Sequence, residues 1–291
     1  MMPTAKPADT QTAVLRFDRV SVSFDDTPAL ADVSFQAYEG ESRVIMGATG
    51  SGKTVLLKTA LGLQRPDSGT VYVFGRDISR MQERELFEIR SKMGMLFQES
   101  ALFDSLNIED NVSYPLLNQP SIHCPPDQVL PRVEEALKFV ELDGILEKFP
   151  SELSGGMRRR AAIARAVVTQ PPLLLYDSPT AGLDPITANT IIALIVKERD
   201  LNKTTTLIVT YRYQDGNLVA NFRYNPENGG LEPARNHTSS QAGGPSSSQA
   251  GAAPRTLFMV LREGRLVFEG PQTELEASQD SYISKFVKHR E

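Results

Sequence analysis

Cysteine occurs once in the 291-residue chain, at Cys124, and tryptophan not at all. A single cysteine excludes an intrachain disulfide and a cysteine-based zinc site, and it fits a reducing compartment. Long apolar runs are missing as well. Stretches such as Ile191 to Val196 fall far short of the roughly 18 residues that a spanning helix needs. The opening segment, MMPTAKPADTQT, holds no apolar stretch and so no secretory signal, and residues 1–12 read as a frayed, disordered tail. Any membrane role must therefore come through a partner. Positive charge is not in excess either: 31 Lys and Arg against 36 Asp and Glu leave a net charge of −5. Such a chain has no global drive toward nucleic acid. What remains is ordinary for a globular protein, with 40% apolar and 23% charged residues. The length suits one large domain or two small ones.

The pattern along the chain alternates strands and helices. AVLRFDRVSVSF (Ala13 to Phe24) alternates apolar and polar residues as a strand does, and ALADVSFQAYEGE reads as its hairpin or meander partner. SRVIM (Ser42 to Met46) is a short buried strand ending in a glycine-rich turn. KTVLLKTALGL follows, with Val55, Leu56, Ala60 and Leu61 at helical spacing. GTVYVFG is another short strand. Ser79 to Gln82 has capping-box spacing and opens a charged amphipathic stretch, Met81 to Arg90. From there to about Val168 the pattern is mainly helical, with Pro131 placed to start a helix. LLLY at 173–176 and TTLIVT at 205–210 are β-rich runs of the kind found in buried parallel strands, and ITANTIIALIVKERD between them is helical. The alternation argues for an α/β sheet.

One segment stands apart. Asn225 to Pro254 is rich in Gly, Pro, Ser, Asn and Ala, and Leu231 is its only large aliphatic side chain. It cannot bury enough surface to offset ordering entropy, so it reads as a disordered surface insert. TLFMVLREGRLVFEG then resumes as two strands around Glu263-Gly264, before a short C-terminal helical piece. No internal repeat is present.

Gly47-Ala48-Thr49-Gly50-Ser51-Gly52-Lys53-Thr54 fits G-x-x-x-x-G-K-[ST] completely, between a strand and a helix as that motif requires. Glycines let backbone N–H groups curl around phosphate oxygens, and the helix that starts there points its positive end at them. Lys53 would reach the β- and γ-phosphates and the Thr54 hydroxyl would ligate Mg²⁺. LLLYD delivers a second Mg²⁺ group, Asp177, to the C-terminal end of a buried strand, where ligands sit in open α/β sheets.

Leu153-Ser154-Gly155-Gly156-Met157 lies just before the Arg-rich helix RRRAAIARA, and Ser154, Gly155 and Gly156 form a small anion-accepting helix N-terminus. Here the chain resembles the ATP-binding-cassette family, whose signature motif LSGGM is similar to, and the resemblance runs from Val14 to Lys285 apart from the insert. It implies an α/β P-loop cassette as one domain over 13–291, with a mixed central sheet, an antiparallel β subdomain and an α-helical subdomain at about 80–165. It implies ATP and Mg²⁺ as cofactors. It implies head-to-tail pairing with a second cassette, in a homodimer or heterodimer, so that Ser154 acts in trans on nucleotide held by the other P-loop. Phe24 sits where the family stacks an aromatic on adenine; the other reading is a core strand aromatic. Gln98 in MLFQES looks like the Q-loop glutamine that senses Mg²⁺ and water and couples to the permease. Ala181-Gly182-Leu183-Asp184 resembles the D-loop at the dimer interface. Arg158 to Arg160 read as a solvated helix face.

Within the family, LSGGM followed by arginines, ALFDSLNIEDNVSYPL and VTYRYQDG resemble the lipid-handling Mce/Mla group. That implies the ATP-binding subunit of a bacterial lipid transporter, held at the cytoplasmic face of the inner membrane by an integral membrane permease. Two positions depart from the family. Ser178 replaces the glutamate that deprotonates the attacking water, and loss of a positioned base typically costs about 10²–10⁴ in rate. Tyr211 replaces the histidine that contacts the γ-phosphate; its O–H can donate a hydrogen bond but stays neutral. The only histidines are His123, His237 and His289, none of them near that position. ATP binding is therefore expected intact and hydrolysis impaired, with Asp184 as a stand-in base or with water positioned by Gln98 and backbone groups. Two rival readings stand beside the transporter: a cassette that binds ATP and gates assembly or completes an active partner, and a soluble repair or translation cassette. The last needs a coiled-coil insertion or a second cassette, and this chain has neither.

Overall fold

The computed structural model describes residues 13–234 and 255–288. Its centre is a six-stranded sheet in which each strand is short and apolar. The strands are β3 (Ser42–Met46), β6 (Met93–Leu96), β7 (Leu173–Asp177), β8 (Thr205–Val209), β11 (Thr256–Arg262) and β12 (Arg265–Gly270), in the order β12-β11-β3-β8-β7-β6. The contacts from β11 to β6 are parallel, and β12 adds an antiparallel edge. All residues of β3, β7 and β8 are buried, as expected of parallel strands covered on both faces.

The period-2 alternation of these strands splits the core in two. Val44, Met46, Leu174, Tyr176, Ile208 and Phe258 face one side, and Ile45, Leu173, Leu175, Val209 and Met259 face the other. On the second side lies the antiparallel sheet β2-β1-β4-β5, made of β1 (Ala13–Phe24), β2 (Thr27–Tyr38), β4 (Ser68–Val73) and β5 (Arg76–Asp77), with helix α1 (Lys53–Ala60) between the layers. Phe17 and Phe35 stack across the β1–β2 pair with ring centroids 4.8 Å apart. On the first side pack α3 (Ile108–Asn118), α4 (Pro126–Phe139), α5 (Gly155–Val167) and α6 (Pro185–Asn202), together with α7 (Tyr213–Asn221) and the C-terminal helices α8 (Gln272–Glu276) and α9 (Ser281–Lys288). This is the α/β architecture that the alternating pattern implied, with the mixed central sheet that the family resemblance implied.

Four local expectations need correction. Ser79 does not cap a helix; its hydroxyl accepts from the Val71 amide, and α2 (Glu83–Arg90) starts at Gln82, whose amide donates to Glu85. The interval from Met81 to Val168 is not helical throughout, because Met93–Leu96 forms the edge strand β6 beside β7. Gly94 fits there because a Cβ would strike the Ala166 carbonyl and Leu174. Pro131 lies inside α4, and Pro126 takes its first turn. Finally, the low-complexity segment begins in order. β9 (Phe222–Asn225) and β10 (Gly230–Pro233) form a hairpin, with Asn228 closing the turn onto the Gly230 amide and Leu231 packed against the main core. The rest of that segment, like residues 1–12, lies outside the described residues.

Candidate active site

The parallel strands β3, β7 and β8 end side by side, so the loops that follow them meet at one edge of the sheet. From β3 the chain enters Gly47–Gly52 and then α1, whose first residue is Lys53. The turn has no room for side chains at its ends. A Cβ at Gly47 would fall 2.5 Å from the Leu261 carbonyl oxygen. Gly52 has φ +101°, and its Cβ would strike the Ala29 carbonyl. Lys53 turns back over the loop: its Nζ donates to the Gly47 carbonyl at 2.9 Å and the Ala48 carbonyl at 2.8 Å. Burial pushes its pKa below the ordinary lysine value, and the nearby Asp177 carboxylate opposes that shift. An anion in the loop would relieve both the burial and the borrowed carbonyl contacts.

Asp177 ends β7, and its Oδ2 accepts from the Thr54 hydroxyl at 2.8 Å. Two hard oxygens from separate elements thus converge beside the glycine-rich loop. The described residues hold no group of three or more His, Cys, Asp or Glu that could bind a metal alone. A pair of oxygens beside a phosphate cradle suits Mg²⁺, which takes few protein ligands and completes its shell with water and phosphate. The donor set therefore fits Mg²⁺ bound with a nucleotide.

Ser178 follows directly, in the left-handed region at φ +50°. It is 9% exposed, its amide donates to Val209 at 2.8 Å, and its hydroxyl lies 3.3 Å from Asp177 Oδ1. Tyr211, after β8, is 53% exposed. Between them runs a link absent from the sequence reading. The buried Asp215 on α7 accepts from Thr180 and from Thr210, each at 2.6 Å, tying the loop after β7 to the loop after β8. Burial pushes the Asp215 carboxyl up, against the pull of those hydroxyls.

Asp184 caps α6 by accepting from the Ile186 and Thr187 amides at 3.1 and 3.0 Å. The Thr187 hydrogen bonds hold its carboxyl below the usual aspartate range. Ser154 caps α5 by accepting from Met157 at 3.2 Å. Gly155 and Gly156 face Leu183 and Thr187, so these glycines sit against the start of α6. Phe24 is 48% exposed at the end of β1, which overturns the core reading. Gln98 is exposed in the loop after β6, and its carbonyl accepts from Arg159.

That bond corrects the solvated-face reading of the arginine run. Arg159 is 6% exposed. It donates to the carbonyls of Phe97 at 3.0 Å, Gln98, and Ala181 at 3.4 Å, so it joins the loop after β6 to the loop after β7. Arg158 donates to Leu153, and Arg160 to Val140 and Glu141. Spacing offers a hint, since Ala162 and Ile163, three and four residues further along α5, are buried on the same face.

A cleft of about 950 Å³ opens beside the loops, walled by Ala48, Thr180, Leu183, Tyr211, Tyr282 and Phe286. The comparisons agree with this geometry. The family model described as ABC transporter matches residues 30–181. The intermembrane phospholipid transport system ATP-binding protein MlaF of Haemophilus influenzae is 38% identical over 257 residues, covering 88% of this chain and 83% of that protein. The methionine import ATP-binding protein MetN of Mesorhizobium japonicum is 37% identical over 73% of this chain, which spans 57% of that protein. The ATP-binding cassette MJ0796, solved as a post-hydrolysis dimer bound to ADP and Pi, superposes with a TM-score of 0.70 at 26% identity, covering 88% of this chain and 98% of that one.

Proposed function

This chain belongs to the ABC transporter family, as an ATP-binding, ATP-hydrolysing cassette, and we propose that it drives phospholipid movement through an integral membrane permease. The likeness to MlaF over most of both chains carries the choice of cargo. None of the helices among the described residues is long and apolar enough to cross a membrane, so the energy must pass to a partner. In this reading the chain sits at the cytoplasmic face of the bacterial inner membrane.

The proposed mechanism assigns roles by position. The amides from Gly50 to Thr54 and the N-terminus of α1 cradle the phosphates, and Lys53 leaves the Gly47 and Ala48 carbonyls to pair with them. Phe24 offers an exposed ring to the base. Thr54 and Asp177 would hold Mg²⁺, with Gln98 in the loop after β6 as a further ligand, and the ion would neutralise charge on the phosphate oxygens. Ser154, Gly155 and Gly156 serve the nucleotide of a second cassette, with Asp184 and its loop at the interface. Ser178 and Tyr211 are neutral hydrogen-bonding groups, so they orient water and phosphate without accepting the proton. Turnover is accordingly slow, and closure of the two cassettes on ATP is long-lived. Phe103, Tyr114 and Leu63 are exposed around an apolar groove near Phe97, beside the Gln98 loop, which suits a helix of the permease.

Reconstitution tests the reading. The chain and its co-purifying permease, in phospholipid vesicles, should transfer labelled phospholipid when Mg²⁺ and ATP are supplied. A Lys53→Ala chain should transfer none. A chain that never associates with a membrane protein would defeat the proposal.

A further inference from the structure

We propose that Tyr282, on the C-terminal helix, is a positioning residue of the nucleotide site, because its hydroxyl fixes the first peptide unit of the phosphate-binding loop. The Ala48 amide donates to Tyr282 Oη at 3.0 Å. The carbonyl of that same peptide unit, on Gly47, accepts from Lys53 at 2.9 Å. In the free chain the N–H and the C=O of one peptide plane are therefore held by Tyr282 and Lys53, side chains far apart in the sequence. A flip of this plane would break both bonds.

The hydroxyl has a second partner. Tyr282 Oη donates to the Leu261 carbonyl at 3.1 Å, so its proton and an acceptor site are both engaged. Leu261 carries the same carbonyl oxygen that leaves no space for a Cβ at Gly47. The start of the loop and the end of β11 thus touch directly, and Tyr282 closes the third side of the triangle.

The ring that carries this hydroxyl is itself fixed. Asp280 caps α9 by accepting from the Tyr282 and Ile283 amides at 2.7 and 3.1 Å. The Arg262 guanidinium sits 5.6 Å from the Tyr282 ring centroid, and the Phe286 ring packs edge-on at 5.2 Å. Ile283 and Val287 anchor the helix in the main core. Folding, rather than ligand binding, therefore meets the cost of aiming the hydroxyl. A loop ordered beforehand binds phosphate more tightly, because less ordering is deferred to the binding step. The C-terminal helix becomes part of the nucleotide site although it touches no phosphate.

This inference rests on the nucleotide reading of the loop, and the test separates the two. Mg²⁺·ADP is titrated calorimetrically into the full chain as wild type, Tyr282→Phe and Leu137→Ala, with hydrogen exchange followed at the Ala48 amide. Tyr282→Phe keeps the ring and its packing. It should weaken Mg²⁺·ADP about two- to tenfold, the scale of one lost intramolecular hydrogen bond, and speed exchange at Ala48 with little change in melting temperature. Leu137→Ala truncates the core on α4, away from the loop, and should lower the melting temperature while leaving affinity and exchange at Ala48 near wild type. Wild-type affinity and wild-type exchange at Ala48 in Tyr282→Phe would overturn the proposal. Failure of the wild-type chain itself to bind Mg²⁺·ADP would instead overturn the nucleotide reading, and this inference with it.

Discussion

The Thr54 hydroxyl and the Asp177 carboxylate meet at 2.8 Å although 123 residues separate them in sequence. The contact exists because β3 and β7 flank β8 in one parallel sheet and end at the same edge. It joins the phosphate loop to a carboxylate placed to share a metal with it.

Thr54→Val removes that hydroxyl with little change in volume. The variant should bind metal-free ATP about as well as wild type and lose most of the gain that Mg²⁺ brings. Nucleotide titrations with Mg²⁺ and with a chelator read the difference. An undiminished Mg²⁺ gain would remove Thr54 from the metal site.

Ser178 stands where the family resemblance expects the base. Two nearby carboxylates are engaged in the fold: Asp184 caps α6, and Asp215 is buried and accepts from Thr180 and Thr210. Ser178→Glu should therefore raise the steady-state ATPase rate, by up to about 10²-fold or more on the scale of a positioned general base. Unchanged turnover would mean that water activation already runs through another group.

Arg159 holds three carbonyls from two loops in a buried position. Arg159→Leu leaves those carbonyls without their charged donor and should cost about 2–4 kcal/mol. Thermal unfolding should shift down by roughly 5–10 °C. A shift under about 2 °C would return Arg159 to the role of a solvated helix residue.

Asp215 gives stability a pH dependence of known sign. Burial raises its folded-state pKa above the ordinary aspartate value of 3.8, so the folded chain holds this proton to higher pH than the unfolded chain does. Its contribution is thus unfavourable at neutral pH, shrinks as pH falls through the folded pKa, and vanishes below 3.8. In Asp215→Asn that dependence is absent. Denaturant unfolding from pH 7 to pH 4 should show wild type gaining stability relative to the variant as pH falls. Parallel curves would contradict the shift.

Much of this site was legible in the sequence, and the parts that were not have physical reasons. The loop from Gly47 to Thr54 and the strand-ending Asp177 are local patterns, each fixed by a few consecutive residues, and the structure brings them together. The edge strand Met93–Leu96 escaped because four residues inside a charged helical context give periodicity little to work on. Arg159 was misread because an arginine run on a helix ordinarily faces water, and burial of the middle one is decided by carbonyls 61 and 62 residues away. From Asn225 to Pro233 the hairpin reads as part of the insert because its turn, Asn-Pro-Glu-Asn-Gly-Gly, has the composition of disorder, whereas cross-strand pairing of Arg223 with Glu232 and packing of Leu231 set its order. Tyr282 carried no signal at all; only the fold reveals its contact with Ala48.

ATP hydrolysis by the purified chain with Mg²⁺, alone and with its permease, beside Lys53→Ala, tests the central claim most directly. Slow turnover that Lys53→Ala abolishes is the expected result, and it would establish an ATPase that works without the usual glutamate and histidine. Tight ATP binding with no turnover above the Lys53→Ala control, even with the permease present, would contradict it.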